Sequence, residues 1–266
     1  MKIICLNGWG GKLHEEILPY LAKEAPDVLC LQEVVHSPET DKDWLTYRDG
    51  DHILPQRANF FRDIVRCLPD HVAIFCPAAE GILWDGETTI PSQWGLATFV
   101  HKRIPLIGQL QGFVHKSYSH DGFGEHPRSR SAHAIRVFAA EHARPMTIAH
   151  MHGLRDLGGK MDTPERAVQA RRFLEMSQQV SQPGDLCVLC GDFNVEPGGE
   201  TLRILTEAGF AELVTGRGFT STRSSHYTKP VKYADYMLVN DETAVKSFEI
   251  IYEPEVSDHC PLVLIV

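Results

Sequence analysis

Two β-sheets packed face to face with helices against their outer surfaces, a helix–sheet–sheet–helix layering of the α/β (α+β) class, is the fold this sequence predicts. Three observations lead there. Short apolar runs with β-branched residues recur from one end of the chain to the other; helical signals between them are few; and no repeat, low-complexity stretch or Gly/Ser-rich linker divides the chain. Strands in such number exceed one simple sheet, and a second sheet buries their apolar faces without calling on many helices. The 266 residues are read as one domain, residues 1–266, a length at which roughly three-quarters of the unfolded chain's surface is buried.

The expected strands are, in chain order, Lys2–Asn7, Asp27–Gln32, Val72–Cys76, Gly95–Val100, Ala134–Ala139, Met146–His150, Leu186–Cys190, Tyr236–Val239, Phe248–Ile251 and Leu262–Val266. His14–Glu24 reads as a helix that Pro19 must kink or delay, because proline offers no amide donor. Asn59–Leu68 is a shorter one, with Phe60, Ile64, Cys67 and Leu68 as its apolar positions. The strongest helix start is Thr163-Pro164-Glu165, a hydroxyl to cap, proline at the first position and an acid in the first turn. Ala167, Ala170, Leu174 and Ser177 trace its face, with Phe173 and Val180 beside them, and Thr201–Ala208 is the last candidate. Two long loops are expected. Gln111–Ser131 is polar and carries His115, His120, His126, Arg128 and Arg130; Arg217–Lys232 holds Arg217, Arg223, Lys229 and Lys232 with no carboxylate, and is the better cationic patch.

Lysine plus arginine is 26 and aspartate plus glutamate 35, a net charge of −9. That excludes a uniformly basic coat, so a polyanionic substrate would need a local patch or a metal ion. No run approaches the roughly 18 apolar residues of a membrane span, and Met1–Leu6 lacks a signal-peptide pattern. Seven scattered cysteines, mostly inside apolar runs, fit reduced thiols in a cytoplasmic protein better than a disulfide framework.

Polar residues stand repeatedly at the ends of apolar strands. Asn7 ends the first and Glu33 the second; His152 follows Thr147–Met151; Asp192 and Asn194 follow Leu186–Gly191; Asp235 opens Tyr236–Val239; Asp258 and His259 precede the last run. Alone, each reads as a turn residue or helix cap. As a set they are costly to desolvate unless something pairs with them, and convergence on one cation is the economical explanation. Hard oxygen donors point to magnesium or manganese over zinc.

Asn7, Leu31-Gln32-Glu33, His152, Gly191-Asp192-Phe193-Asn194, Asp235-Tyr236 and Ser257-Asp258-His259, in this order over almost the whole chain, resemble the ordered motifs of the endonuclease/exonuclease/phosphatase superfamily, the deoxyribonuclease I-like fold. Each motif is short and common; the ordered set is specific. The resemblance implies a four-layered sandwich, here with two packed, mostly antiparallel sheets, that cleaves phosphoester bonds with a divalent metal at the strand ends. Glu33 then resembles the main metal ligand, with Asn7 beside it and Asp258 as a further acidic ligand. Asp192 and Asn194 resemble the pair that orients the attacking water, His259 the histidine at the phosphate, Asp235 its carboxylate partner and His152 a second phosphate-contacting histidine. Histidine at 152, where some repair enzymes have asparagine, leans away from the apurinic endonucleases. An Asp235–His259 pair is expected to favour the imidazolium.

Other signals carry less. Gly8-Trp9-Gly10-Gly11-Lys12 lacks P-loop spacing and is expected to shape the turn after Asn7, with Trp9 lining or covering the cleft. His150 and His152 share a strand face with only one at its end, and Cys187 and Cys190 fall on opposite faces, so neither pair makes a zinc site. Arg155 and Lys160 are candidates to meet substrate beyond the scissile phosphate; Arg136 is a candidate for the cleft or for an exterior salt bridge; Arg166 is expected on the surface beside Asp162 or Glu165. The expectation is a magnesium- or manganese-dependent phosphoesterase of nucleic acid or nucleotide diesters. Alternatives are a phosphatase or phospholipase C-like enzyme for inositol phosphates or sphingomyelin-type lipids, and a non-catalytic phosphate-binding module. No obligatory protein partner is inferred.

Overall fold

The computed structural model describes residues 1–140 and 144–266. The chain opens with β1 (Lys2–Asn7), α1 (His14–Glu24), β2 (Val28–His36), β3 (Trp44–Asp49), β4 (His52–Arg57) and α2 (Phe60–Cys67). Next come β5 (His71–Asp85), β6 (Thr88–His101), β7 (Leu106–His115), β8 (Arg130–Ala139), β9 (Arg144–His152) and α3 (Pro164–Val180). The last stretch holds β10 (Leu186–Asp192), α4 (Glu200–Glu207), β11 (Ala211–Glu212), β12 (Asp235–Val239), β13 (Ser247–Ile250) and β14 (Leu262–Ile265).

The strands form an eight-stranded sheet, β13-β14-β1-β2-β6-β5-β3-β4, and a six-stranded sheet, β11-β12-β10-β9-β8-β7. Each contains one parallel pair, β1 with β2 and β9 with β10, among antiparallel neighbours. The continuous run Ile3-Ile4-Cys5-Leu6 is explained by burial on both faces. Ile3 and Cys5 point to the inter-sheet core with Ile148 and Val188, whereas Ile4 and Leu6 pack with Ile17, Leu21, Phe60 and Ile64 of α1 and α2. Phe173 and Met176 of α3 and Leu202 and Leu205 of α4 cover the outer side of the six-stranded sheet. Thr163 caps α3 as expected, its hydroxyl accepting from the Arg166 amide at 3.3 Å, and Pro19 lies within α1.

All ten expected runs are strands. The β3–β4 hairpin, β7 and β11 were not expected, since the first mixes polar with apolar residues, holds Pro55 and sits at a sheet edge, and the others are edge strands with exposed or short sequences. The expected loop 111–131 is shorter, because β7 runs to His115 and β8 begins at Arg130. Nor does the second strand end at Glu33. It continues to His36 through a bulge between Leu31 and Val34, and Glu33 sits in that bulge at φ 55°.

One polar strip crosses the apolar inter-sheet core. Gln32 Nε2 donates to His150 Nδ1 (3.1 Å), His150 Nε2 meets Thr98 Oγ1 (2.8 Å), and Thr98 Oγ1 meets His133 Nδ1 (2.7 Å). Once Gln32 donates, His150 must carry its proton on Nε2 and Thr98 must donate onward to His133, so the strip has one direction. Burial pushes His133 down to about 4 and His150 well below its ordinary value, keeping both neutral.

Candidate active site

The two parallel pairs end on the same side of the molecule, and their last residues face one another across the sheets. The register sets Asn7 beside Gln32 and Asp192 beside His152. Close approach there needs two glycines. Gly191 has φ 141°, and a Cβ on it would lie 2.1 Å from the Met151 carbonyl oxygen; a Cβ on Gly153 would lie 2.2 Å from that of Phe193. Gly153 in turn accepts from Arg130 Nε (2.9 Å) and Asn194 Nδ2 (3.3 Å), which binds the loop after β9 to the loop after β10.

Contacts run through the cluster without a break. His152 Nε2 is 4.0 Å from Glu33 Oε1 and 3.7 Å from Asp192 Oδ2; His259 Nε2 is 3.7 Å from that same oxygen and 3.8 Å from Asp258 Oδ1. These gaps are too long for direct hydrogen bonds and suit a shared water or phosphoryl oxygen. Asp192 is held from behind, Oδ2 by Asn7 Nδ2 and Oδ1 by the Asn194 amide, both at 3.0 Å. Asn194, like Glu33, adopts a left-handed backbone, φ 54°, a strained state that clusters at functional sites. Ser257 donates to the Asn7 carbonyl at 2.7 Å and ties the segment bearing Asp258 and His259 to the end of β1.

His259 and Asp235 form a tight pair, Nδ1 lying 2.9 and 2.8 Å from the two carboxylate oxygens. The Nδ1 proton therefore faces Asp235, and Nε2 accepts from Arg223. The expected imidazolium is not what this environment favours: burial first, then the Arg223 guanidinium, push His259 down to about 4, outweighing Asp258 and Asp192. Burial also raises Asp235 to about 6, opposed by Arg223 and Lys160. His152 is held well below its ordinary value by burial and by Arg130. Glu33 is pushed up to about 7, by burial, then by Asp258 and Asp192, against the bond from Asn7.

That last shift bears on a metal. Carboxylates crowd this side of the site: Arg223 bonds one oxygen of Asp258, Lys160 is turned to the Tyr233 carbonyl, and Glu33 has no Lys or Arg ion pair among the described residues. Glu33, Asp258 and Asn7 thus offer hard oxygen donors, with the charge of Glu33 left unpaired by Lys or Arg, a set that fits a divalent cation. One donor atom each from Asp192, Asp235 and His259 also lies within 4.8 Å of the others, but His259 Nδ1 and both Asp235 oxygens are already engaged with one another.

The remaining expected site residues divide. Trp9, at φ 50°, donates its backbone N–H to Asn7 Oδ1 at 3.0 Å, while its ring lies under Lys12 and 6.1 Å from that of His226. Arg155 lines a cleft beside Glu33. Arg136 does not reach the site. It pairs with Asp185 at 2.8 and 2.9 Å, at the opposite end of the sheet, five residues of β10 register or roughly 17 Å from Asp192. Arg166 is buried rather than surface-paired, donating to the Gly159 (2.7 Å) and Met161 carbonyls and so bracing the loop that carries Arg155 and Lys160. Sequence reasoning left Arg130 and Arg223 out of the site, although both stood in the two long loops it marked. Arg130 is 3% exposed and stacks 5.0 Å over Trp94, whose ring lies 5.2 Å from His152.

Four layers with this cluster at the strand ends define a protein of the deoxyribonuclease I-like fold. The profile of the Endonuclease/Exonuclease/phosphatase family matches residues 6–259, and the chain belongs to that family. Among solved structures it is similar to the Bacteroides thetaiotaomicron mannosyl-6-phosphatase (TM-score 0.69, 12% identity, 100% of this chain and 98% of that one). It is also similar to the catalytic domain of human Nocturnin (0.66, 18%, 99% and 92%). A third is D. rerio TDP2 complexed with single strand DNA product (0.64, 15%, 99% and 97%). At such identities the likeness is one of fold. None of the curated proteins matches.

Proposed function

We propose that the protein is a divalent-metal-dependent phosphoesterase that hydrolyses a phosphodiester of a nucleic acid or nucleotide by in-line attack of water. The observation that carries this reading is the unbroken run Glu33–His152–Asp192–His259–Asp258, with each step 4.0 Å or less. Names of similar structures, a phosphatase and a DNA-product complex, agree with phosphoester chemistry. Magnesium or manganese suits the donors Glu33, Asp258 and Asn7, and the bound ion would neutralise charge developing on phosphoryl oxygens.

The chain's own groups do the rest. Asp192, fixed by Asn7 and Asn194, accepts the proton of a water lodged between it and the imidazoles. His152 and His259 are neutral at rest, with His259 Nε2 accepting from Arg223; an arriving phosphoryl group draws that guanidinium to itself, and its negative charge raises the affinity of both imidazoles for a proton. Asp235 orients His259 and stabilises the cation it becomes. Arg130 and Arg223 add fixed positive charge. Seven free thiols suit a cytoplasmic setting.

Manganese-dependent hydrolysis of bis-p-nitrophenyl phosphate is expected, falling by about 10² or more in Asp192→Asn. Absence of turnover across a panel of diesters and monoesters would leave a phosphate-binding module in its place. A phosphomonoesterase is the second enzymatic reading, favoured by the walled cleft beside Glu33.

A further inference from the structure

The cleft beside Glu33 is a pocket of about 470 Å³, within the range of sites that enclose one small ligand. Its inner wall is Glu33, Trp94 and Arg130, and Phe123 and Leu83 add apolar surface. Another wall is a latch. Arg128 donates to the Tyr47 hydroxyl (2.6 Å), to Asp49 (2.9 Å) and to the Gly124 carbonyl (3.2 Å), tying the loop 116–129 to the β3–β4 hairpin.

Charge in this pocket does not balance. Arg128 and Asp49 neutralise each other. Arg130 spends Nε on the Gly153 carbonyl and keeps Nη1 buried with no hydrogen-bond partner. Arg155 is exposed at the mouth and has no hydrogen bond or ion pair among the described residues. Once Glu33 holds a cation, two guanidiniums remain to face a ligand. A buried, unpartnered guanidinium N–H is costly, and an anion is what relieves it.

We propose that this pocket receives the group attached to the scissile phosphate, and that this group is a ring bearing a second negative charge. The substrate is then a compact, doubly anionic phosphoester, such as a nucleoside or sugar bisphosphate, in place of an internal stretch of polymer. Trp94 and Phe123 supply faces for the ring, Arg155 and Arg130 meet the second anion, and a pocket of this volume suits one such group. This inference rests on the phosphoesterase reading in its second, phosphomonoesterase form and names the substrate class.

Calorimetric titration of manganese-loaded Asp192→Asn protein, which binds without turnover, tests it. The ligands are an adenosine bisphosphate with AMP as its control, a fructose bisphosphate with fructose monophosphate as its control, and a short single-stranded oligonucleotide. One bisphosphate is expected to bind about tenfold or more tightly than its monophosphate, the gain of one charge-assisted pair, and the adenosine and fructose arms tell a base-bearing ligand from a plain sugar. Arg155→Ala, at an exposed position, should abolish that preference and Arg155→Lys restore part of it. Equal affinity for mono- and bisphosphates in both arms, or tighter binding of the oligonucleotide than of either bisphosphate, overturns the proposal. A bisphosphate preference without turnover by the unmutated protein would remove the phosphoesterase reading and leave the pocket assignment standing, whereas turnover without the preference does the reverse.

Discussion

Glu33 is placed against its own stability: a left-handed backbone in a bulge, with a side chain near two other carboxylates. Because its folded-state value is raised, the ionised form costs stability above the unfolded value near 4.5, and the cost is complete once the pH passes about 7. Glu33→Gln should therefore raise the metal-free melting temperature, by an amount worth about 1–2 kcal/mol above neutral pH and nothing below the unfolded value, while abolishing manganese-dependent turnover. Thermal melts with and without chelator across pH check both halves; an unchanged melting temperature above neutral pH would mean that Glu33 is already compensated. At this scale the sequence was most legible where a carboxamide, carboxylate or imidazole broke an apolar run, as at Asn7, Asp192 and His259. It was least legible for arginine. Arg130, which opens β8, and Arg223 fall in stretches that read as polar loops, where a buried guanidinium looks like a solvated one, and Arg136 lies on a strand whose alternation does not say which end of the sheet it serves.

Among the elements, the paired ends of β9 and β10 carry the most geometry per residue. Gly191 occupies a conformation closed to other residues, and the atom that a side chain would strike is backbone, with no rotamer to yield. Gly191→Ala is expected to cost about 3 kcal/mol or more and to move Asp192 and His152 together. Denaturant unfolding reads the first effect, and turnover of bis-p-nitrophenyl phosphate at a temperature where the variant stays folded reads the second. Strands buried on both faces announced themselves through composition; the β3–β4 hairpin did not, because its short strands mix polar with apolar residues and one holds Pro55. That hairpin lines the pocket beside Glu33, so a wall of the candidate site was harder to read than its strand ends.

Across the whole molecule, the two sheets meet through apolar contacts and one oriented polar strip. Thr98→Val keeps the shape but strands two neutral imidazole nitrogens, and about 1–3 kcal/mol should be lost, measurable as a lower denaturant midpoint with an unchanged m-value. The layered architecture was readable from strand count and helix scarcity, whereas the register of one sheet on the other was not, since it depends on residues such as Thr98 and His150 that alternate with apolar neighbours. The eight-stranded sheet brings Asn7 and Glu33, the six-stranded sheet brings His152, Asp192 and Asp235, and His259 arrives only with the segment tied down by Ser257. A ribosome releasing this chain would hold an inert polypeptide until residue 259 had emerged and docked. Turnover of a chromogenic ester during synchronised cell-free translation would then show a lag that ends only once this segment is made, and the lag times the locking of the two halves.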